Sequence, residues 1–112
     1  MLKKINRIKK KKDFEIIFTR GRGVKDKFLA LKFFKNNLIE SRFGLVVSKK
    51  ISQKAVVRNK VRRRLSNIIG SDLDAIKKGT DIVFIALSGA ELKSFLETKE
   101  TVKNILKKAN LF

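Results

Sequence analysis

Apolar positions along this chain fall into short blocks, each with its own spacing. Between Asp13 and Thr19, Phe14 and Phe18 stand four apart and Ile17 follows Phe14 by three, which puts all three on one side of a short helix. Asp13 is an acceptable N-cap for it, and Gly21 and Gly23 break it. Residues 27–35 (KFLALKFFK) are aromatic-rich and lack breakers, so they read as a strand. In it Leu29, Leu31 and Phe33 face one way and Phe28, Ala30, Lys32 and Phe34 the other. Asn36-Asn37 is a turn signal. Residues 38–48 give a second extended run with Phe43, Leu45 and Val47 on one face, and Gly44 marks a bulge or a close approach.

The clearest helix is predicted over 54–69. Val57, Val61, Leu65 and Ile68 form one apolar stripe, and Gly70 reads as its C′ stop. Asp81 to Leu87 is a nearly continuous apolar run, the mark of a strand covered on both faces. Ser88–Glu91 and Ser94–Glu97 both fit a capping box. A last helix over 97–109 turns Thr101, Val102, Ile105, Leu106 and Ala109 inward. The order helix, strands, helix, strand, helix predicts an α+β sandwich, one sheet with helices packed on it. The chain reads as a single domain over 1–112, opening with a basic, partly flexible arm over 1–12. That arm carries Arg7, Lys9, Lys10, Lys11 and Lys12, with only Leu2, Ile5 and Ile8 apolar in its body.

Charge changes the picture most. The chain has 29 Lys+Arg against 10 Asp+Glu, a formal charge of +19 in 112 residues. Such an excess repels itself and is tolerated where a polyanion neutralises it. It is also uneven. Residues 1–71 carry 22 Lys+Arg and 4 Asp+Glu, residues 72–112 carry 7 and 6, and no carboxylate occurs between Glu40 and Asp72. The first two-thirds is therefore the expected binding face and the last third the scaffold. No run approaches the roughly 18 apolar residues of a spanning helix, and no signal-peptide core follows the basic start, so the expectation is a cytoplasmic protein without a membrane partner. Absent Cys and His remove disulfides, thiolates, the usual zinc ligands and the commonest general base. No nucleophile–base pair is visible, so no catalytic residue, no protein-bound metal and no small-molecule substrate is expected.

Three groupings point to nucleic acid. Arg58, Asn59, Lys60, Arg62, Arg63 and Arg64 fall within seven positions of the long helix with no acidic residue among them. A solvated helix interleaves Glu with Lys for about 0.2–0.5 kcal/mol per pair; here every pairing repels. Arginine offers a planar fork to phosphate, and Asn59 can bond a base edge or a 2′-hydroxyl. Phe14 and Phe18 beside the basic arm fit either core packing or stacking on unpaired bases; Phe33, Phe43, Phe84 and Phe95 read as core. Ser48-Lys49-Lys50, at a strand end shortly before the helix, combines a hydroxyl and two ammonium groups able to grip a phosphate.

FGLVVSKK (43–50) followed by AVVRNKVRRRL (55–65), with RIKKKKDFEIIFTRG (7–21) before and DIVFIA (81–86) after, closely resembles the signature of the bacterial ribonuclease P protein component family. The resemblance spans nearly the whole chain. It implies an αβββαβα fold with a left-handed βαβ crossover, against the common rule. It implies the protein subunit of a ribonucleoprotein endoribonuclease that removes the 5′ leader of precursor tRNA. Catalysis and most of the Mg2+ would then belong to the RNA subunit, and the partners would be that catalytic RNA and precursor tRNA. By the same likeness, Arg58, Asn59, Lys60, Arg62 and Arg63 match the basic helix, Lys49 and Lys50 the strand-end lysines, and Phe14 and Phe18, with Ser48 near them, the leader-binding cleft. Lys60 stands where the motif has Arg, Ser66 where many members have Arg (Arg64 being an imperfect substitute), Leu31 where the cleft often has an aromatic, and Leu87 where the late strand often has Arg. The alternative is a ribosomal or architectural RNA-binding protein outside any enzymatic complex; the joint Ser-Lys-Lys and Arg-Asn-Lys spacing favours the former.

Overall fold

The computed structural model describes residues 2–112; Met1, the first residue of the expected arm, lies outside them. The element order is α1 (Lys11–Arg20), β1 (Arg22–Asp26), β2 (Leu29–Lys35), β3 (Arg42–Val46), α2 (Ala55–Ser71), β4 (Thr80–Ala86) and α3 (Phe95–Lys108), with single 3₁₀ turns at Lys4–Asn6, Leu73–Ala75 and Ala90–Leu92. This is the αβββαβα order that the resemblance implies. The four strands form one sheet in the order β1-β2-β4-β3. Pairing is antiparallel except between β3 and β4, which are parallel and joined through α2.

The sheet has unequal faces. One carries the main core: Leu29, Leu31, Phe43 and Phe84 meet Leu65, Ile68 and Ile69 of α2 and Val102, Ile105 and Leu106 of α3. The other carries a small cluster, Ile8, Ile17 and Val83, with Phe14, Phe34, Val46 and Ile85 packed at its margin. Ile82, Val83 and Phe84 are fully buried, as the continuous apolar run of β4 predicts. The inward set expected for the last helix is buried, and its second capping box forms: Ser94 Oγ accepts from the Glu97 N–H and a Glu97 carboxylate oxygen accepts from the Ser94 N–H.

Several expectations are corrected. The hydrophobic pattern marks no strand at Arg22–Asp26, where β1 lies, although the implied order has three strands before α2. Gly21 ends α1 as expected, but the chain turns at once into β1, because Gly21 lies so close to the carbonyls of Ile17 and Phe33 that a Cβ would fall 2.4 and 2.8 Å from their oxygens. α1 begins at Lys11 rather than at Asp13, whose carboxylate is held by Arg42. The run 38–48 is extended only from Arg42, and Leu38 and Ile39 stand in solvent. Gly70 lies inside α2, which ends through the Asp72 N–H bonding the Ile68 and Ile69 carbonyls. Ser88–Glu91 forms no capping box; a 3₁₀ turn starts after Gly89 instead. Phe28 joins the main core, and Phe95 is half exposed. Within the arm Leu2 and Ile8 are buried, the Ile8 N–H bonds the Phe43 carbonyl, and the buried Asn6 amide bonds the Ser41 carbonyl. Sparse apolar residues gave no periodic signal; their partners lie some 35 residues away.

Candidate nucleic-acid interface

The apolar stripe of α2 decides where its charges go. Val61, Leu65, Ile68 and Ile69 are buried against the sheet, so Asn59, Lys60 and Arg63 are left in solvent. Just before the helix, the exposed turn Ser48-Lys49-Lys50 is shaped by the Lys50 N–H donating to Ser48 Oγ at 3.3 Å. Among the described residues there are three ion pairs: Arg42 to Asp13, Arg42 to Asp81 and Lys108 to Asp26. None involves α2, Lys49, Lys50 or the basic arm. The cations of this end of the molecule therefore face one another without a carboxylate between them.

Three arginines of α2 are nonetheless oriented, by neutral oxygens. Arg58 Nη1 donates to the carbonyls of Ser52 and Gln53 at 2.9 and 3.0 Å and closes the loop before the helix. Arg62 donates through Nη1 to Asn59 Oδ1 (2.8 Å) and through Nη2 to the Val47 carbonyl (3.2 Å), tying α2 to the end of β3. An arginine only donates, so the Asn59 oxygen is engaged and its NH2 remains as a pair of donors. Arg64 turns away and donates to the Lys93 carbonyl before α3. Ser66, by contrast, lines a groove together with Arg62 and Arg63.

That groove, about 340 Å³, runs along the outer edge of β3 and is bounded by Arg7, Phe14, Leu45, Arg62, Arg63 and Ser66. Arg7 is held by its Nε donating to the Leu2 carbonyl. Next to it lies the thinly covered sheet face. α1 crosses the row Lys32–Val83–Gly44: Ile17 packs with Val83, the Phe14 ring lies against Gly44, and Lys32 Nζ donates to the Phe18 carbonyl at 3.1 Å. The next row, Ala30–Ile85–Val46, is only half-buried. Phe18, 38% exposed, stands four residues after Phe14 on the same flank of α1. The result is an apolar shelf walled by two phenylalanines and rimmed by Lys32 and the Ser48-Lys49-Lys50 turn. Leu31 faces the main core instead, so that position does not belong to the shelf.

The helix starts complete the electrostatic picture. The N-cap positions of α1 and α2 are Lys10 and Lys54, neither capped by a side chain; α1 opens with Lys11 and Lys12 and has Asp13, paired with Arg42, in its first turn, whereas α2 has no acid there. Lysines at the positive end of a helix dipole are unfavourable unless an anion joins them. α3, in the charge-balanced third, has a complete capping box.

Sequence reasoning missed the residues that hold this site in place. Arg42 donates to both oxygens of the buried Asp81 and reaches Asp13, joining β3, β4 and α1. The hydrogen bonds that Arg42 donates to Asp81, first, and the nearby negative charges raise the Arg42 pKa above its ordinary value, against the opposing effect of burial. A buried carboxylate at the head of an apolar strand was the available signal. Among the described residues no three His, Cys, Asp or Glu side chains gather as a metal site would require.

The family model described as Ribonuclease P matches residues 2–110. The ribonuclease P protein component of Clostridium botulinum (strain 657 / Type Ba4) is 38% identical over 110 residues, covering 97% of this chain and 98% of that one. That of Clostridium kluyveri is 36% identical, covering 96% and 97%. The solved RNase P protein of Staphylococcus aureus superposes with a TM-score of 0.88 at 30% identity, over 96% of this chain and 97% of that one. The Thermotoga maritima RNase P protein gives 0.84 at 32% identity, over 91% and 96%.

Proposed function

Because this chain belongs to the ribonuclease P protein component family, as a subunit of a ribonucleoprotein endoribonuclease, we propose how its surface divides the work of that complex. The cationic face of α2, with Lys60, Arg63 and the donor pair of Asn59, binds the catalytic RNA together with Lys49, Lys50 and the arm lysines. The shelf of Ala30, Val46 and Ile85, with Phe14 and Phe18 as its wall, takes unpaired nucleotides of the precursor tRNA leader. The protein supplies phosphate contacts and stacking surface; the RNA supplies the reaction centre and the Mg2+.

The observation that carries this reading is the union, at one end of the sheet, of cations without carboxylate partners and a half-buried apolar row. Phosphates neutralise the first while bases cover the second. The matching of several lysines and arginines to phosphates makes such binding steeply salt-dependent, with a log–log slope of roughly 0.7–0.9 per phosphate contact. Cleavage of a precursor tRNA by a bacterial ribonuclease P RNA at low magnesium, with and without this protein, tests the proposal. Stimulation is expected, larger for precursors with a leader of several nucleotides; no stimulation overturns it.

A further inference from the structure

The sheet has a second charged end. Beyond the C-terminus of α1 and the start of β4 lies a cavity of about 750 Å³. Arg20, Arg22, Lys35, Lys77 and Lys78 line it, all five are exposed, and no carboxylate lines it. None of the five has an ion-pair partner among the described residues. Its walls are apolar: Phe33 and Phe34 on the sheet side, and the tip Leu38-Ile39, 52% and 85% exposed.

That tip is held outward. The Asn36 side-chain amide donates to Asp81 Oδ1 at 2.8 Å and to the Glu40 carbonyl at 3.2 Å, and its oxygen accepts the Leu38 N–H at 2.7 Å. The Asn36 N–H bonds the Gly79 carbonyl, and Asn37 takes a left-handed turn at φ 62°. Two aliphatic side chains are thus fixed in water beside five unpaired cations. The ligand chemistry that suits both is an anionic chain bearing flat apolar groups. The concavity suits a flexible strand better than a planar lipid surface.

We propose that this groove is a second RNA-binding site, taking unpaired nucleotides at the end of the sheet opposite the Ser48-Lys49-Lys50 turn. β4, seven residues long, separates the two ends by about 23 Å. The protein therefore bridges two RNA segments rather than gripping one. This goes beyond the division of labour proposed above and does not depend on which RNA occupies the α2 face.

The test uses the full chain and a short single-stranded RNA oligonucleotide of mixed sequence, titrated at several salt concentrations. The triple variant Arg22→Ala/Lys35→Ala/Lys78→Ala alters only exposed side chains, and circular dichroism checks that it is folded. Its log–log salt slope should fall by about 2 units, at about 0.7 per phosphate contact on a single strand. The same fall should recur in a Lys60→Ala/Arg63→Ala background, and Arg22→Lys/Lys78→Arg should keep the parent slope. Leu38→Ser/Ile39→Ser should weaken binding about fivefold with the slope unchanged. An unchanged slope in the triple variant overturns the proposal. So does a variant that loses binding to phosphatidylglycerol vesicles while keeping its affinity for RNA, which would assign the groove to a lipid surface.

Discussion

The Phe14 ring occupies the space that a side chain at position 44 would need. A Cβ on Gly44 would lie 2.5 Å from Phe14 Cε1 and 2.8 Å from its Cζ. The absent side chain of one strand residue thus lets the aromatic wall of α1 descend onto the sheet, next to the half-buried row that receives RNA in our proposal. Gly44→Val should displace that ring at a cost of about 1–3 kcal/mol, the range for overpacking a filled site. Urea unfolding should show the loss, and Phe14→Ala should recover part of it in the double variant. Additive losses would mean that the ring and the glycine do not share space.

Phe18 should behave differently from Phe14. It is 38% exposed and lies on the flank facing the shelf, so Phe18→Ala should leave stability within about 1 kcal/mol of the parent. Stacking on a leader base should instead appear as a loss of roughly 1–3 kcal/mol in affinity for precursor tRNA, with mature tRNA unaffected. Equal losses for both substrates would place Phe18 in the scaffold.

Arg42 carries the opposite signature. Its guanidinium faces Asp81 and Asp13 rather than solvent ligands. Arg42→Met would leave the Asp81 carboxylate, 7% exposed, without its charged partner and with only the Asn36 amide bonded to it. Removing one member of a buried pair costs about 3–5 kcal/mol; the Arg42 side chain is 23% exposed, so about 2–3 kcal/mol is expected here. Denaturation should register that loss while the RNA affinity of the folded fraction stays close to the parent's. Lost affinity at unchanged stability would make Arg42 an RNA ligand.

What could be read from the chain depended on whether an element's partners were local. α2 was legible because Val61, Leu65 and Ile68 repeat at helical spacing and its charges lie between them. β4 was legible because its apolar run has no polar interruption between Ile82 and Ala86. β1 was not: an edge strand reading RGVKD has one apolar residue and exists through its pairing with β2. Leu38 and Ile39 read as the start of an extended run, but the Asn36 hydrogen bonds hold them outside any strand and in water. Among site residues, the α2 cations were evident from composition. The orienting bonds of Arg62 to Asn59 and Val47, and the turn of Arg64 toward Lys93, depend on side-chain directions and on the tertiary approach of α2 to β3 and α3. Val46 and Ile85 carry no mark that separates them from core.

The capping box of α3 gives a pH dependence with a definite sign. Hydrogen bonds from the backbone and then the side chain of Ser94 hold the Glu97 carboxyl below its ordinary value of 4.5. A carboxylate whose folded pKa is depressed contributes stability above the unfolded pKa, and the contribution disappears as pH falls through the folded value. Glu97→Gln keeps an acceptor for the Ser94 N–H but does not titrate. The parent should be the more stable of the two at pH 7, and the gap should close as urea unfolding is repeated below pH 4.5. A gap that persists at pH 3 would show that the carboxylate charge is not what holds the box.

Arg62 and Arg63 are neighbours with different duties, and their variants should separate them. Arg63 is exposed with no partner in the described structure, so its charge is free for a phosphate. Arg63→Ala should lower the log–log salt slope of RNA binding by about 0.7–0.9 and do little else. Arg62 holds Asn59 Oδ1 and the Val47 carbonyl while lining the groove beside β3. Arg62→Ala should lower the slope by a similar amount and cost additional affinity that persists at high salt, because Asn59 loses the bond that fixes its donors. Asn59→Ala should remove that salt-independent part, and adding it to Arg62→Ala should cost little more, the non-additivity expected of two residues acting as one unit. If the Arg62 and Asn59 losses simply sum, the hydrogen bond between them has no part in RNA recognition, and Arg62 is one more phosphate ligand.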